Sequence, residues 1–261
     1  MTDSASFSFE VDDHGVATVT FDRPPVNSVS MAVYEELAAL AARIDADDGI
    51  RVVILTAPDD ARAWCGGADL NDFVDMTPAG RRERYARVNA LLPALNELQR
   101  PTIAAINAHT VGIGVVLAAL CDLRVAADSA TFACREIDYG LVPGESRLLE
   151  SAGIPRATVR ELLLTGRRFS ARELREAGFL NAVVPRTDVL AKAREIAALI
   201  AAKSLPSLKA AKRTLYAVEE LAWPEAYLVA QEESALLHAG TDAGEGVQAF
   251  LEGRAPRLTD G

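Results

Sequence analysis

RPTIAAINAHTVGIGVVLAALCDLRVAADSATFACRE (Arg100–Glu136) is the stretch from which the rest of the chain is read. It opens as a buried strand ending near Asn107, with Pro101 at its entrance. Gly112 and Gly114 then allow a tight turn that leaves the backbone open to a ligand, and an apolar helix starts from it. A second strand follows, and then a polar segment with one acid, Glu136. The first N–H groups of a helix have no partner within it and carry its positive end. A turn of this kind can hold a developing negative charge. The stretch alone names neither the anion nor the residue that creates it.

Composition narrows the choice. The 261 residues suffice for one full core with an appendage, and half of them are apolar. A net charge of −10 argues against nucleic acid or an anionic membrane as main partner. It leaves room for a phosphate-bearing small ligand, for which a few local Arg or Lys side chains suffice. The first residues, MTDSASFSFEVDD, have neither the basic region nor the apolar run of a leader peptide. No stretch reaches the roughly 20 apolar residues of a membrane helix. Cys65, Cys121 and Cys134 read as reduced thiols of a cytoplasmic protein, without the spacing of a zinc site.

Outward from the opening stretch, residues 7–11 and 16–21 read as a hairpin. Ser30 is the expected cap of a helix over 31–46. Residues 51–57 form a buried strand, 59–70 a glycine-containing loop, and 80–99 a charged amphipathic helix. Beyond Glu136 come helices over 155–165 and from Ser170 to Gly178, a short strand over 182–185, and an Ala-rich helix over 188–203. From Leu205 onward strand signals vanish. Two helices open with Pro206 and Pro224, and a last one begins with the capping-box-like Asp242 and Glu245. Strand–helix alternation therefore covers about 1–200, an α/β unit, and a helical tail with apolar residues on several faces covers 201–261. Such a tail reads as a subunit contact.

The metal reading fails on spacing, because His14, His109 and His238 lie far apart. No G-x-S-x-G elbow, Walker loop or complete G-x-G-x-x-G is present. Two glycine turns remain, CGGADL (65–70) and GIGVVL (112–117), each leading into a helix. If they face each other, each can give one backbone N–H to the same oxygen.

The blocks W-C-G-G-A-D-L, P-T-I-A-A-I-N-A-x-x-V-G-x-G-x-x-L-A-x-x-C-D-x-R-V-A-A-x-x-A-x-F, G-L-V-P-G, L-T-G-R-x-x-S-A-R-E-L-x-x-A-G-F-L-N-A-V-V-P and D-A-x-E-G-V-Q-A-F-L-E-G-R resemble the enoyl-CoA hydratase/isomerase (crotonase) superfamily. The resemblance runs in order over nearly the whole chain. It implies a spiral of ββα units, a C-terminal all-helical oligomerisation region, and homotrimers often paired into hexamers. It also implies an acyl-CoA thioester substrate, no cofactor beyond the coenzyme A that enters as part of that substrate, and an oxyanion hole for the thioester enolate.

Carried over by position, the hole's donors are the N–H groups of Ala68 and Ile113. Asp69, Leu70 and Asn71 follow on the wall along the pantetheine and CoA, and Val26 lies in the loop that contacts the CoA head. Hydratases of the family keep one glutamate just after the glycine turn and a second about twenty residues on. Here the first place is Val116 and the second is Glu136. Hydration divides its work between two carboxylates, whereas moving a double bond needs one base that takes an α-proton and returns it at the γ-carbon. A single Glu in an apolar pocket suits that shuttle. The resemblance thus implies Δ3,Δ2-enoyl-CoA isomerisation by Glu136. The alternatives are a hydratase or lyase using Glu136 with Glu145 as a second acid, a decarboxylase, dehalogenase or hydrolase variant, and a non-catalytic acyl-CoA binder. Asp122 reads as structural, through hydrogen bonds or a pair with Arg124; His109 as packed or interfacial; Lys209, Lys212 and Arg213 as either phosphate contacts or a solvated helix face.

Overall fold

The computed structural model describes residues 5–260; the expectation about a leader rests partly on residues 1–4, which lie outside them. The first half of the chain runs β1 (Phe7–Val11), β2 (Val16–Phe21), β3 (Ser28–Val29), α1 (Met31–Asp45), β4 (Val52–Thr56), β5 (Ala63–Cys65), β6 (Gly67–Ala68), α2 (Pro78–Leu91) and α3 (Pro93–Asn96). It continues through β7 (Thr102–Ile106), β8 (His109–Val111), α4 (Ile113–Leu120), β9 (Leu123–Ala127), β10 (Thr131–Ala133), α5 (Ser146–Ser151), α6 (Arg156–Thr165), β11 (Phe169–Ser170), α7 (Ala171–Glu176) and β12 (Ala182–Val184). Four helices close it: α8 (Val189–Ala201), α9 (Leu205–Ala217), α10 (Trp223–Leu236) and α11 (Thr241–Glu252).

The strands form two principal sheets that advance together. The large one has the order β1-β2-β4-β7-β9-β12, and the small one β11-β10-β8-β5. Each step along the chain adds one strand to the large sheet, one to the small sheet, and then a helix: β4, β5, α2; β7, β8, α4; β9, β10, α5. This is the α/β spiral of ββα units that the resemblance implies. Among the described residues, only the β1–β2 and β10–β11 pairs are antiparallel. The parallel strands β4 and β7 are buried throughout, as strands covered on both faces must be. α8 lies across the large sheet, with Val189, Ala193, Ala197 and Ala201 inward at i, i+4 spacing. Alanine at those places lets the helix sit close to the strands.

Several expectations change in detail. The helix expected over 80–99 divides where Leu92 separates α2 from α3, because Pro93 has no N–H to continue the ladder. Ser30 takes the cap position of α1 without a side-chain bond. Asp242 and Glu245 do not form a capping box, since Gly240 caps α11. Instead they hold the chain end against that helix. Asp242 accepts from the N–H of Thr259 (2.8 Å) and Asp260 (3.1 Å), and Glu245 from that of Arg257 (2.7 Å).

Asp122 is structural through hydrogen bonds, as one expectation had it, and its ion-pair partner is Lys212 rather than Arg124. It accepts from Thr102 N–H at 2.6 Å, Lys212 Nζ at 2.9 Å and Tyr216 O–H at 2.9 Å. This half-buried knot docks α9 onto the start of β7. Arg124 instead donates to the carbonyls of Cys121 and Phe179. α10 has no buried residue, and Trp223, Leu228, Leu236 and Phe250 are exposed. No helix among the described residues is long and apolar enough to cross a membrane.

Candidate active site

The small sheet assembles the site. Parallel pairing sets Cys65 of β5 beside Thr110 of β8, and Val111 of β8 beside Ala133 of β10. Each strand then leaves the sheet at the same end, so residues 66–68, 112–114 and 134–136 emerge side by side. Gly112 N–H donates to Ala133 O at 2.8 Å and fixes two of these exits to each other.

The two glycine turns do meet. Gly67 has φ +102° and Gly112 φ +53°, conformations that L side chains rarely adopt. A Cβ on Gly112 would stand 3.9 Å from Gly67 Cα, and one on Gly114 only 2.8 Å from Cys65 O. Larger residues would push the turns apart. Ile113 is the first residue of α4, so its N–H has no carbonyl behind it within the helix. Ala68 closes β6 beside Val29 of β3, and the next N–H, that of Asp69, is held by Val29 O at 2.9 Å.

Glu136 opens a 3-10 turn, Glu136–Tyr139, and reaches back to the second glycine turn. Its Oε1 comes within 2.7 Å of where a Cβ on Gly112 would be, a contact only glycine permits. Its Oε2 is buried and has no hydrogen-bond partner. Burial raises the carboxyl above the ordinary carboxylate value, and the nearby Glu145 carboxylate adds to that rise. Val116 lies partly buried in α4, so that helix brings no acid to the site.

Glu145 arrives by a route the sequence signals only through its turn residues. Gly140 adopts the left-handed conformation with φ +68°, Pro143–Gly144 follow, and the reversal returns Glu145 to Glu136. One carboxylate oxygen of each and the Cys134 sulfur lie within 4.8 Å of one another. No other group of metal-capable side chains gathers among the described residues. Burial pushes the Cys134 thiol up, and the Glu145 and Glu136 carboxylates push it further. A thiol ligates as thiolate, so this trio is better suited to holding protons than a metal ion. Cys65 is also buried, with its thiol pushed up to about 12, and has the character of a packing residue.

The remaining candidates sit around this centre. Val26 is partly exposed, and its carbonyl accepts from Gly66 N–H at 2.8 Å, tying its loop to the first glycine turn. Burial acts to raise the Asp69 carboxyl, but bonds from Arg23 and Asn71 outweigh it and hold the group below its ordinary range. Asp69 is thereby a strap between that loop and β6, with Arg23 Nη1 at 2.9 Å. Leu70 and Asn71 face outward beyond it. His109 is exposed at the far end of β8, its Nδ1 3.0 Å from Thr131 Oγ1. Lys212 is spent on Asp122, Lys209 pairs with Asp48 and Arg213 with Glu233. The structure therefore turns these three cations toward the protein's own acids.

Fold and site together define an α/β protein of the ββα-spiral class, with a carboxylate set against a pair of glycine turns. The family model described as enoyl-CoA hydratase/isomerase matches residues 12–261. A probable enoyl-CoA hydratase of Mycobacterium bovis is 34% identical over 251 residues, covering 95% of each chain. The 2,3-dehydroadipyl-CoA hydratase of Escherichia coli is 32% identical over 254 residues, 92% of this chain and 94% of that one. The crystal structure of an enoyl-CoA hydratase from Mycobacterium smegmatis has a TM-score of 0.91 to this chain at 29% identity, covering 98% and 99% of the two chains. The chain belongs to the enoyl-CoA hydratase/isomerase (crotonase) superfamily.

Proposed function

We propose that the chain acts on an acyl-CoA thioester by forming an enolate. The N–H groups of Ala68 and Ile113 hold its oxygen, and Glu136 moves the proton. Two aligned main-chain donors in a dry turn stabilise an oxyanion without a dedicated side chain. Val26, Asp69, Leu70 and Asn71 form the wall along the CoA moiety, and Ile113 and Val116 crowd the acyl group. Coenzyme A enters with the substrate, and the proton transfers call for no other cofactor. Residues 1–200 carry this site, and 201–261 serve assembly into a homotrimer or a dimer of trimers in the cytoplasm.

The reaction that fits this site best is movement of a double bond from the 3,4 to the 2,3 position. The observation that carries it is the pairing of a half-buried Glu136, whose Oε2 is buried and unpartnered, with an apolar Val116. Glu136 takes the α-proton, the dienolate rests in the hole, and the proton returns at the γ-carbon. Hydration is the second reading, favoured by the approach of Glu145 and by the hydratase names of the relatives. Incubating the protein with a 3-enoyl-CoA and, separately, a 2-enoyl-CoA distinguishes them. Conjugated product from the first supports isomerisation; 3-hydroxyacyl-CoA formed from the second at an enzymatic rate replaces that reading with hydration. Turnover of neither leaves the decarboxylase, dehalogenase and hydrolase variants and a silent binder.

A further inference from the structure

We propose that residues 254–260 form a latch that fastens α11 to the body of its own chain, and that the tail presents one fixed apolar face only while this latch is shut. The second half rests on the reading of 201–261 as the assembly region; the latch itself does not.

Little else holds α11. The helix buries only Asp242 and Ala249, and it packs on the 3-10 turn Leu237–Ala239 that precedes it. α10, before that turn, buries nothing. Val247, Phe250 and Leu251 of α11 are exposed. Helices in proteins draw most of their stability from a packed apolar face, and in this chain α11 has almost none.

The segment that follows supplies an anchor. Gly253 ends α11 in the left-handed conformation, φ +67°, and the chain folds back along the helix. Glu245 accepts from Arg254 Nη2 at 3.0 Å and from Arg257 N–H at 2.7 Å. Asp242 accepts from the N–H of Thr259 at 2.8 Å and of Asp260 at 3.1 Å. The carboxylate of Asp260 then crosses to the start of the tail, where its Oδ1 accepts from Leu205 N–H at 2.7 Å. Leu205 is the first residue of α9, and Ser204 at the cap position makes no cap bond with its own side chain. Asp260 thus caps α9 in its place, at the positive end of that helix.

Arg51, just before β4, completes the node. Both of its Nη groups bond the Asp260 carboxylate, its Nε donates to Ala201 O at the end of α8 (2.7 Å), and Nη2 donates to Lys203 O. One residue therefore joins the large sheet, the α8–α9 junction and, through its own N–H on Asp242, α11. Asp260 does this at φ +61°, a backbone conformation that a side-chain-bearing residue keeps only where its surroundings fix it. Because the bonds converge on one carboxylate, its removal opens them together.

The test is hydrogen exchange of the intact protein, read by mass spectrometry, for the wild type, Asp260→Ala, Asp242→Ala and the double variant. In each single variant α11 should exchange at least about tenfold faster, while β4, β7 and α8 keep wild-type rates. The double variant should be no faster than the singles, since two halves of one latch do not add. Unchanged exchange in α11, equal acceleration of α11 and the sheet, failure of the variants to fold, or fully additive effects overturn the latch. The wild type gives a readout that needs no variant: residues 254–260 should be protected together with α11, and exchange there at the unprotected rate overturns the latch as well. Sedimentation reads the consequence. Asp260→Ala should dissociate at protein concentrations at least about tenfold above the wild type's, and unchanged association with a loosened α11 overturns the coupling. A monomeric wild type overturns the assembly reading alone, and the exchange result still decides the latch.

Discussion

Glu136 Oε1 sits where a side chain on residue 112 would be, so the proposed base and the turn depend on each other. Gly112→Ala places a methyl group 2.7 Å from Glu136 Oε1 on a backbone with φ +53°. The expected outcome is a stability loss of about 1–3 kcal/mol in urea unfolding, with activity falling at least ~100-fold. Glu136→Gln should cost roughly 10²–10⁴ in rate while acyl-CoA binding, read by calorimetry, persists. The same variant carries an opposite prediction for stability. The folded protein holds the Glu136 proton to higher pH than the unfolded chain, whose carboxyl titrates near its ordinary value of 4.5. Wild-type stability therefore falls as pH rises from that value through the raised one, and stays lower above it. Glu136→Gln escapes that loss, so its unfolding midpoint should exceed the wild type's at neutral pH and converge with it in acid. Part of this was legible in the sequence. The resemblance, carried over block by block, named Glu136, Ala68 and Ile113, and the fold brings their turns side by side. The approach of Glu145 depends on a left-handed Gly140 and a reversal at Pro143–Gly144, which single-residue preferences do not specify.

At the scale of elements, the long periodic segments were readable and the short ones were not. The large-sheet strands β4 and β7 are continuous apolar runs, and α8 repeats alanine on one face; both patterns announce themselves. The small-sheet strands β5, β8 and β10 are three residues each, too short for a period of two to appear. They are nonetheless the elements that bring the three parts of the site together. Asp122 shows a related limit. Its partner Lys212 lies far along the chain on α9, and nothing local distinguishes it from Lys209, which stays at the surface. Lys212 is only 5% exposed, so Asp122→Ala leaves a buried ammonium group without its counter-charge. That change should cost about 3–5 kcal/mol in urea unfolding and loosen α9 from β7. Asp122→Asn, which keeps an acceptor, should cost less.

For the whole molecule, the helical tail sets the expectation. Trp223 is 76% exposed and Phe250 84%, on a segment whose middle helix buries nothing in this chain. Apolar surface of that kind is stable in water when another copy covers it. Sedimentation should give a trimer or a hexamer; a monomer would contradict the role assigned to residues 201–261. A trimer also implies that Trp223→Asp or Phe250→Asp weakens assembly while leaving the spiral core folded by circular dichroism. The account's central claim is that this core makes an enolate of an acyl-CoA with Glu136. It is tested most directly by solvent deuterium entering the α-carbon of a bound saturated acyl-CoA, followed by mass spectrometry. That exchange needs a base and an oxyanion site and nothing of the later steps. The account predicts ready incorporation by the wild type and none above background by Glu136→Gln; equal incorporation by both proteins would contradict it.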